Sequence, residues 1–107
     1  MDLDCIFCKV VGGKIPAKIE YQDEEMAVFP DKFPSAPRHL LFVSKLHGEE
    51  FHTVDSAKLA RMLAKVKQWA IEWKVPYRVT LNGLGATMVH NHLHIHLMGE
   101  VAGSHKL

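Results

Sequence analysis

The sequence predicts an α+β fold: a five-stranded antiparallel sheet with one long helix and a short N-terminal helix. Three observations predict it. Short apolar or alternating segments, bounded by Gly, Pro and Asp turns, dominate the chain. Only one stretch, 55–74, keeps an apolar period near 3.6. The remaining connections are short, which favours antiparallel neighbours over crossovers.

The elements follow in chain order. Residues 5–11 (CIFCKVV) are short and apolar and predict a helical turn. Gly12, Gly13 and Pro16 mark a turn. Segments 17–21 and 26–29 predict two strands, joined as a hairpin through Gln22, Asp23, Glu24 and Glu25. Pro30, Pro34 and Pro37 enforce a loop, since each fixes φ and lacks a donor. Residues 39–44 (HLLFVS) form the third predicted strand. Asp55 is the expected N-cap of the helix, whose apolar face carries Leu59, Met62, Leu63, Val66, Trp69, Ala70 and Trp73. Lys58, Arg61, Lys65, Lys67 and Glu72 fall largely off that face, and Pro76 stops the helix. The two tryptophans are expected in the core. Segments 77–81 and 89–98 predict the fourth and fifth strands, separated by a turn containing Asn82, Gly83 and Gly85. No structure is predicted after Gly99.

Composition narrows the class. The chain has 107 residues, which fits one small domain (1–107), and an oligomer would be a natural way to bury more surface. With 48% hydrophobic and 23% charged residues it has the composition of an ordinary globular protein. A net charge of +1 gives no field suited to a nucleic acid or an anionic membrane, so neither partner is expected. No apolar run reaches the roughly 18 residues of a membrane span. The acidic start, Met1-Asp2-Leu3-Asp4, lacks the basic segment of a signal peptide, so a cytoplasmic location is expected.

Histidine and cysteine carry the chemistry. His90, His92, His94 and His96 alternate, so on one strand they would line a single face about 7 Å apart, opposite Leu93, Ile95 and Leu97. Four imidazoles make a poor core, because each ring needs polar partners when buried. Imidazole can ligate metals, transfer protons or attack phosphorus, and spacing alone leaves catalysis and metal binding both open. Cys5 and Cys8, the only cysteines, stand at metal-ligand spacing; in a reducing compartment such a pair is metal-binding or redox-active rather than a structural disulfide.

His92-Leu93-His94-Ile95-His96-Leu97-Met98 resembles the signature of the histidine triad (HIT) superfamily. Further landmarks agree in order: Cys5-Ile6-Phe7-Cys8-Lys9, Lys14-Ile15-Pro16-Ala17-Lys18, Phe29-Pro30-Asp31, Pro34-Ser35-Ala36-Pro37-Arg38-His39 and Lys45-Leu46-His47. The resemblance spans residues 5–99, and the short length resembles the Hint-type, nucleoside phosphoramidase-like branch. It implies a HIT-like fold, a homodimer, and a hydrolase acting on a purine nucleotide, an AMP or GMP derivative. The scissile bond joins the α-phosphorus to an amine or phosphate. By the same resemblance His94 is the nucleophile that forms a covalent nucleotidyl-histidine, and the carbonyl of His92 orients its ring. His96 contacts phosphate or the leaving group, and His39 is expected beside His92. Asp31 binds ribose hydroxyls, Asn82 lies near the phosphate, and Ile6, Phe7, Val10, Phe29 and Lys32 form the base-binding cleft. The apolar members of that cleft have core packing as their plain alternative, and Asn82 that of a turn residue.

Zinc usually takes four ligands in a structural site. His47 and His92 are the best candidates to complete a set with Cys5 and Cys8, as in family members with the same cysteine pair; two reduced, unligated thiols are the alternative. The sequence departs from the family pattern before the triad. Met88 and Val89 stand where polar phosphate contacts are usual, with Thr87 and the additional His90 as possible substitutes. The tail lacks the tryptophan that Hint-type proteins often carry. These departures keep two alternatives in view: a zinc-stabilised nucleotide-binding or interaction module with little catalysis, and a metal-handling protein.

Overall fold

The structure, a computed structural model, describes residues 5–84, 86, 89 and 91–102. Five strands form one antiparallel sheet: β1 (Tyr21–Gln22), β2 (Met26–Pro30), β3 (Arg38–Ser44), β4 (Tyr77–Leu81) and β5 (His94–Gly99). Their spatial order is β1-β2-β3-β5-β4, so β5 inserts between β3 and β4. Two helices flank the sheet, α1 (Ile6–Val11) and α2 (Ser56–Trp73).

Local chemistry explains the boundaries. Asp23 accepts the amide hydrogens of Glu25 (2.8 Å) and Met26 (2.9 Å), which closes the β1–β2 hairpin. The first strand is shorter than the predicted 17–21. In the register Tyr21↔Val28, residue 19 would meet Pro30, which has no amide hydrogen to donate, and the ladder ends with Glu20 N–H bonded to Val28 O at 2.8 Å. Asp55 caps α2 by accepting Lys58 N–H at 3.0 Å, as expected. The helix ends at Lys74, which takes the left-handed conformation (φ 54), two residues before Pro76.

The last strand begins at His94 rather than at 89. Asn91 is left-handed (φ 54), which breaks the extended chain, and His92 and Leu93 follow β3 only through Ser44 N–H bonded to Leu93 O at 2.9 Å. His92 therefore precedes the paired part of the strand, yet it keeps the expected face: Phe7 packs on both His92 and His94, while Leu93 joins Ile95 and Leu97 on the α2 side. His90, Thr87 and Met88 lie outside the described residues.

The sheet is buried on both faces. Met26, Val28, Leu40, Phe42, Ile95 and Leu97 face α2 and meet Met62, Val66 and Trp69. Trp69 packs edge-on against Phe42 at 5.6 Å and Trp73 lies against Gly99, so both tryptophans pack against the core as half-buried residues at its margin. The opposite face, Ala27, Phe29, Leu41 and Val43, is covered by Cys5, Phe7 and Cys8 of the α1 segment. This second layer is the one that carries the histidines.

Candidate active site and metal centre

His94 and His96 project from β5 on the α1 side, because Ile95 and Leu97 occupy the α2 side. His94 is buried, 4% exposed. Its Nδ1–H donates to the carbonyl of His92 at 2.8 Å, the bond expected from the sequence. That bond leaves Nε2 as the unprotonated nitrogen. Phe7 packs edge-on against the ring at 4.8 Å. Burial pushes the His94 pKa below its ordinary value, against the raising effects of the His92 carbonyl and Asp31, so the ring is neutral at pH 7.

His39 was expected beside His92, and the structure places it against His96 instead. The register pairs His39 with Met98 and Val43 with His94, so His39 lies at the far end of β5 from His92. His39 Nε2 is 2.8 Å from His96 Nδ1. The amide of Ser35 fixes the tautomers. Its N–H donates to His39 Nδ1 at 2.9 Å, so a neutral His39 carries its proton on Nε2. That proton faces His96 Nδ1, so a neutral His96 carries its own proton on Nε2. Burial and the neighbouring imidazoles of His94 and His39 push the His96 pKa down to about 4. Asp31 closes the group: Oδ2 is 3.4 Å from His39 Nε2 and 4.0 Å from His96 Nδ1, while Oδ1 accepts Phe33 N–H at 2.9 Å.

Asp31, His39 and His96 are close enough to suggest a cation site. The Ser35 bond argues against it, because it keeps the His39 proton on the nitrogen that would have to ligate.

A second cluster has the opposite character. Cys5 caps α1 and Cys8 sits one turn on. Cys5 Sγ is 3.2 Å from His92 Nδ1; Cys8 Sγ is 3.5 Å from the same nitrogen and 3.4 Å from His47 Nδ1. All four donor atoms lie within 4.8 Å of one another. A tetrahedral zinc site with bonds near 2.0–2.3 Å separates its ligands by about 3.3–3.8 Å, so the spacing fits. The tautomer fits too. His92 Nε2–H donates to Ser44 O at 2.6 Å, which turns the Nδ1 lone pair toward the thiols. Burial pushes the Cys5 thiol up, a cost that a bound dication would reverse. The same His92 offers its carbonyl to His94, so this cluster orients the imidazole next to it.

The predicted cleft residues separate into two groups. Phe7 and Phe29 are buried (7% and 4% exposed) and pack edge-on at 6.1 Å. Ile6 and Lys32 are exposed and Val10 is half-buried. Asn82 follows Leu81, the last paired residue of β4, whose partner Ile95 adjoins His94 in β5. Val89 packs against the apolar cluster under α1.

Sequence reasoning missed three residues. Ser35, in a proline-rich loop, acts only through its amide. Lys58 was assigned to the polar side of α2, yet it is 6% exposed, with Nζ bonded to Ser44 Oγ (2.8 Å) and Glu49 Oε1 (2.6 Å). Glu50 reaches across to accept Leu84 N–H at 2.7 Å. No local pattern marks them: Lys58 and Glu50 depend on partners distant in the chain, and Ser35, four residues from His39, acts through a backbone amide that any residue but proline carries.

Comparison with known proteins agrees with this geometry. The family model described as "Scavenger mRNA decapping enzyme C-term binding" matches residues 4–106. Protein HitA of Neisseria gonorrhoeae is 37% identical over 102 residues, covering 90% of this chain and 95% of that protein. Adenosine 5'-monophosphoramidase HNT1 of Candida albicans is 30% identical over 104 residues, covering 88% and 68%. Among solved structures, a histidine triad protein from Clostridium difficile superposes with a TM-score of 0.83 at 29% identity, covering 100% of this chain and 99% of that one. A Zn-bound histidine triad family protein from Mycobacterium smegmatis gives 0.81 at 25% identity, covering 95% and 78%. With the sheet order and these relatives in agreement, the chain belongs to the histidine triad (HIT) family.

Proposed function

We propose that the protein is a Hint-type hydrolase. It cleaves the bond between the α-phosphorus of a purine nucleoside monophosphate and an amine or phosphate leaving group, through a nucleotidyl-His94 intermediate. The observation that carries this reading is His94 itself: a buried, neutral imidazole whose Nδ1–H is held by the His92 carbonyl. Its Nε2 lone pair attacks phosphorus, and the phosphorus–nitrogen or phosphoanhydride bond breaks. His96 Nε2–H hydrogen-bonds the departing atom; an amine leaves with a proton taken from solvent and a phosphate leaves as the anion, while His39 Nε2–H holds the His96 ring at Nδ1. Water then attacks the phosphorus, loses its proton to solvent, and the phosphorus–Nε2 bond breaks. Asp31 is assigned to the ribose hydroxyls and Asn82 to the phosphate. The name of the Candida albicans relative, an adenosine monophosphoramidase, supports this substrate class.

Zinc is the ion assigned to Cys5, Cys8, His47 and His92, in a structural role that fixes the His92 ring and hence its carbonyl. The Zn-bound relative supports that choice. A reducing, cytoplasmic setting goes with it, because ligating thiolates must stay reduced. A homodimer goes with it as well. The β4 edge and α2 leave Tyr77, Val79 and Ile71 exposed (57%, 42% and 63%), an apolar surface suited to a second copy.

The test is turnover of an adenosine phosphoramidate with metal analysis alongside. Release of AMP that vanishes in His94→Ala is expected, together with near one zinc per chain that is lost in Cys5→Ser. Tight nucleotide binding without any product would favour the binding module, and unchanged metal content in Cys5→Ser would remove the zinc assignment.

A further inference from the structure

The connection from β4 to β5 carries Asn82 and leads into the triad. Among its described residues Asn82, Asn91 and His92 have polar side chains; His92 belongs to the candidate metal centre, and Asn82 stands one step past the Leu81↔Ile95 pair. Segment 48–54 holds this connection at two points. Gly48 N–H donates to Asn91 O, and Glu50 Oε1 accepts Leu84 N–H at 2.7 Å. Both held residues are left-handed, Leu84 at φ 51 and Asn91 at φ 54. A leucine side chain clashes with its own backbone in that region, so something must hold it there. The Glu50 carboxylate is well placed to do so, since its side chain is 12% exposed. A Cβ on Gly83 would stand 3.3 Å from the same Oε1, so the turn lies directly on that carboxylate.

Glu50 is itself firmly mounted. Its N–H donates to Thr53 Oγ1 at 3.0 Å, and its carbonyl accepts Thr53 N–H (3.1 Å) and Val54 N–H (2.8 Å). The preceding residue, Glu49, is bonded to buried Lys58. Ser44 and His47, earlier in the same stretch, belong to the His92 cluster. One segment thus supports both the candidate metal centre and the turn after β4.

We propose that Glu50 is a positioning residue, whose carboxylate pins the left-handed turn at Leu84 and so fixes Asn82 at the phosphate. The inference rests on the assignment of Asn82 made above. It goes beyond that assignment by naming what holds Asn82 and why leucine is tolerated at a left-handed position.

The test is a kinetic cycle on the intact protein with an adenosine phosphoramidate, each variant first shown to be folded by circular dichroism. Glu50→Gln keeps an acceptor oxygen and should retain near-parental kcat. Glu50→Ala should lower kcat by on the order of tenfold to a hundredfold, with KM moved much less. Glu50→Leu, which keeps the bulk but not the acceptor, replaces it if Glu50→Ala does not fold. Leu84→Gly, which adopts the left-handed turn without strain, should restore part of the loss in the Glu50→Ala background. The double variant Glu50→Ala/Asn82→Ala should be no slower than Asn82→Ala alone, because Glu50 acts through Asn82. Fully active Asn82→Ala would overturn the phosphate assignment and this inference with it. Impaired Asn82→Ala beside unimpaired Glu50→Ala, or effects that multiply, would overturn the role of Glu50 and leave the assignment standing.

Discussion

Acidification should destabilise this protein through His96, by an amount the geometry allows to be worked out. His96 Nδ1 accepts the proton of His39 Nε2 at 2.8 Å, and the ring is flanked by His94 at 5.1 Å. Protonating His96 must break the first contact and place a charge among neutral imidazoles in a buried layer. Burial is the largest cause of its low pKa, followed by His94 and His39, with Asp31 opposing them. The folded value of about 4 lies below the ordinary 6.5, so the unfolded chain binds the extra proton more readily. The stabilisation is therefore complete above pH 6.5 and is lost as the pH falls toward 4. Linkage between those two values gives a loss of about 2 kcal/mol on going from pH 7.5 to pH 5, from this one side chain. Urea unfolding at a series of pH values measures it. Buried His39 also has a lowered pKa and adds the same sign, so the comparison is between the parent and His96→Asn. The parent should lose about 2 kcal/mol more than the variant over that interval. Equal pH slopes in the two proteins would refute the reasoning.

Two further substitutions test the packing that holds the site. Gly99→Ala places a Cβ 2.7 Å from Trp73 Cε3 and 3.2 Å from Arg38 Cβ, so it should destabilise by about 1–3 kcal/mol in urea unfolding. A variant as stable as the parent would show that Trp73 moves freely. Lys58→Met leaves Glu49 and Ser44 Oγ without their buried cation and should cost about 2 kcal/mol, less than a fully buried pair because the Glu49 side chain is 24% exposed. A cost below about 0.5 kcal/mol would mean that the pair is worth no more than one on the surface.

Much of this architecture was legible in the sequence because it depends on local periodicity. The period of 55–74 located α2 and its buried face, with Asp55 as the cap. Alternation around His94 and His96 separated the core side of β5 from the histidine side. The pairing of Cys5 and Cys8 with His47 and His92 came from ligand arithmetic together with family resemblance, and the geometry brings those four together. What failed depends on register and on distant partners. The alternation from 90 to 96 suggests one unbroken strand, but Asn91 turns left-handed and pairing starts only at His94, although His92 keeps the face that the alternation gives it. His39 could be assigned to β3 without any means of counting which residue of β5 it would meet, and the register gave it His96. Lys58 has the helical phase of a surface residue and is buried only because Glu49 and Ser44 come to it from β3 and the following loop.

The central claim is that His94 carries the nucleotide covalently between the two chemical steps. The direct measurement is to mix the protein with an adenosine phosphoramidate, quench in mild base, and map the adduct by mass spectrometry. The account predicts an adenylyl group on the peptide containing His94, present in the parent and absent in His94→Ala. Product release with no adduct at any time point, or an adduct that persists in His94→Ala, would contradict it.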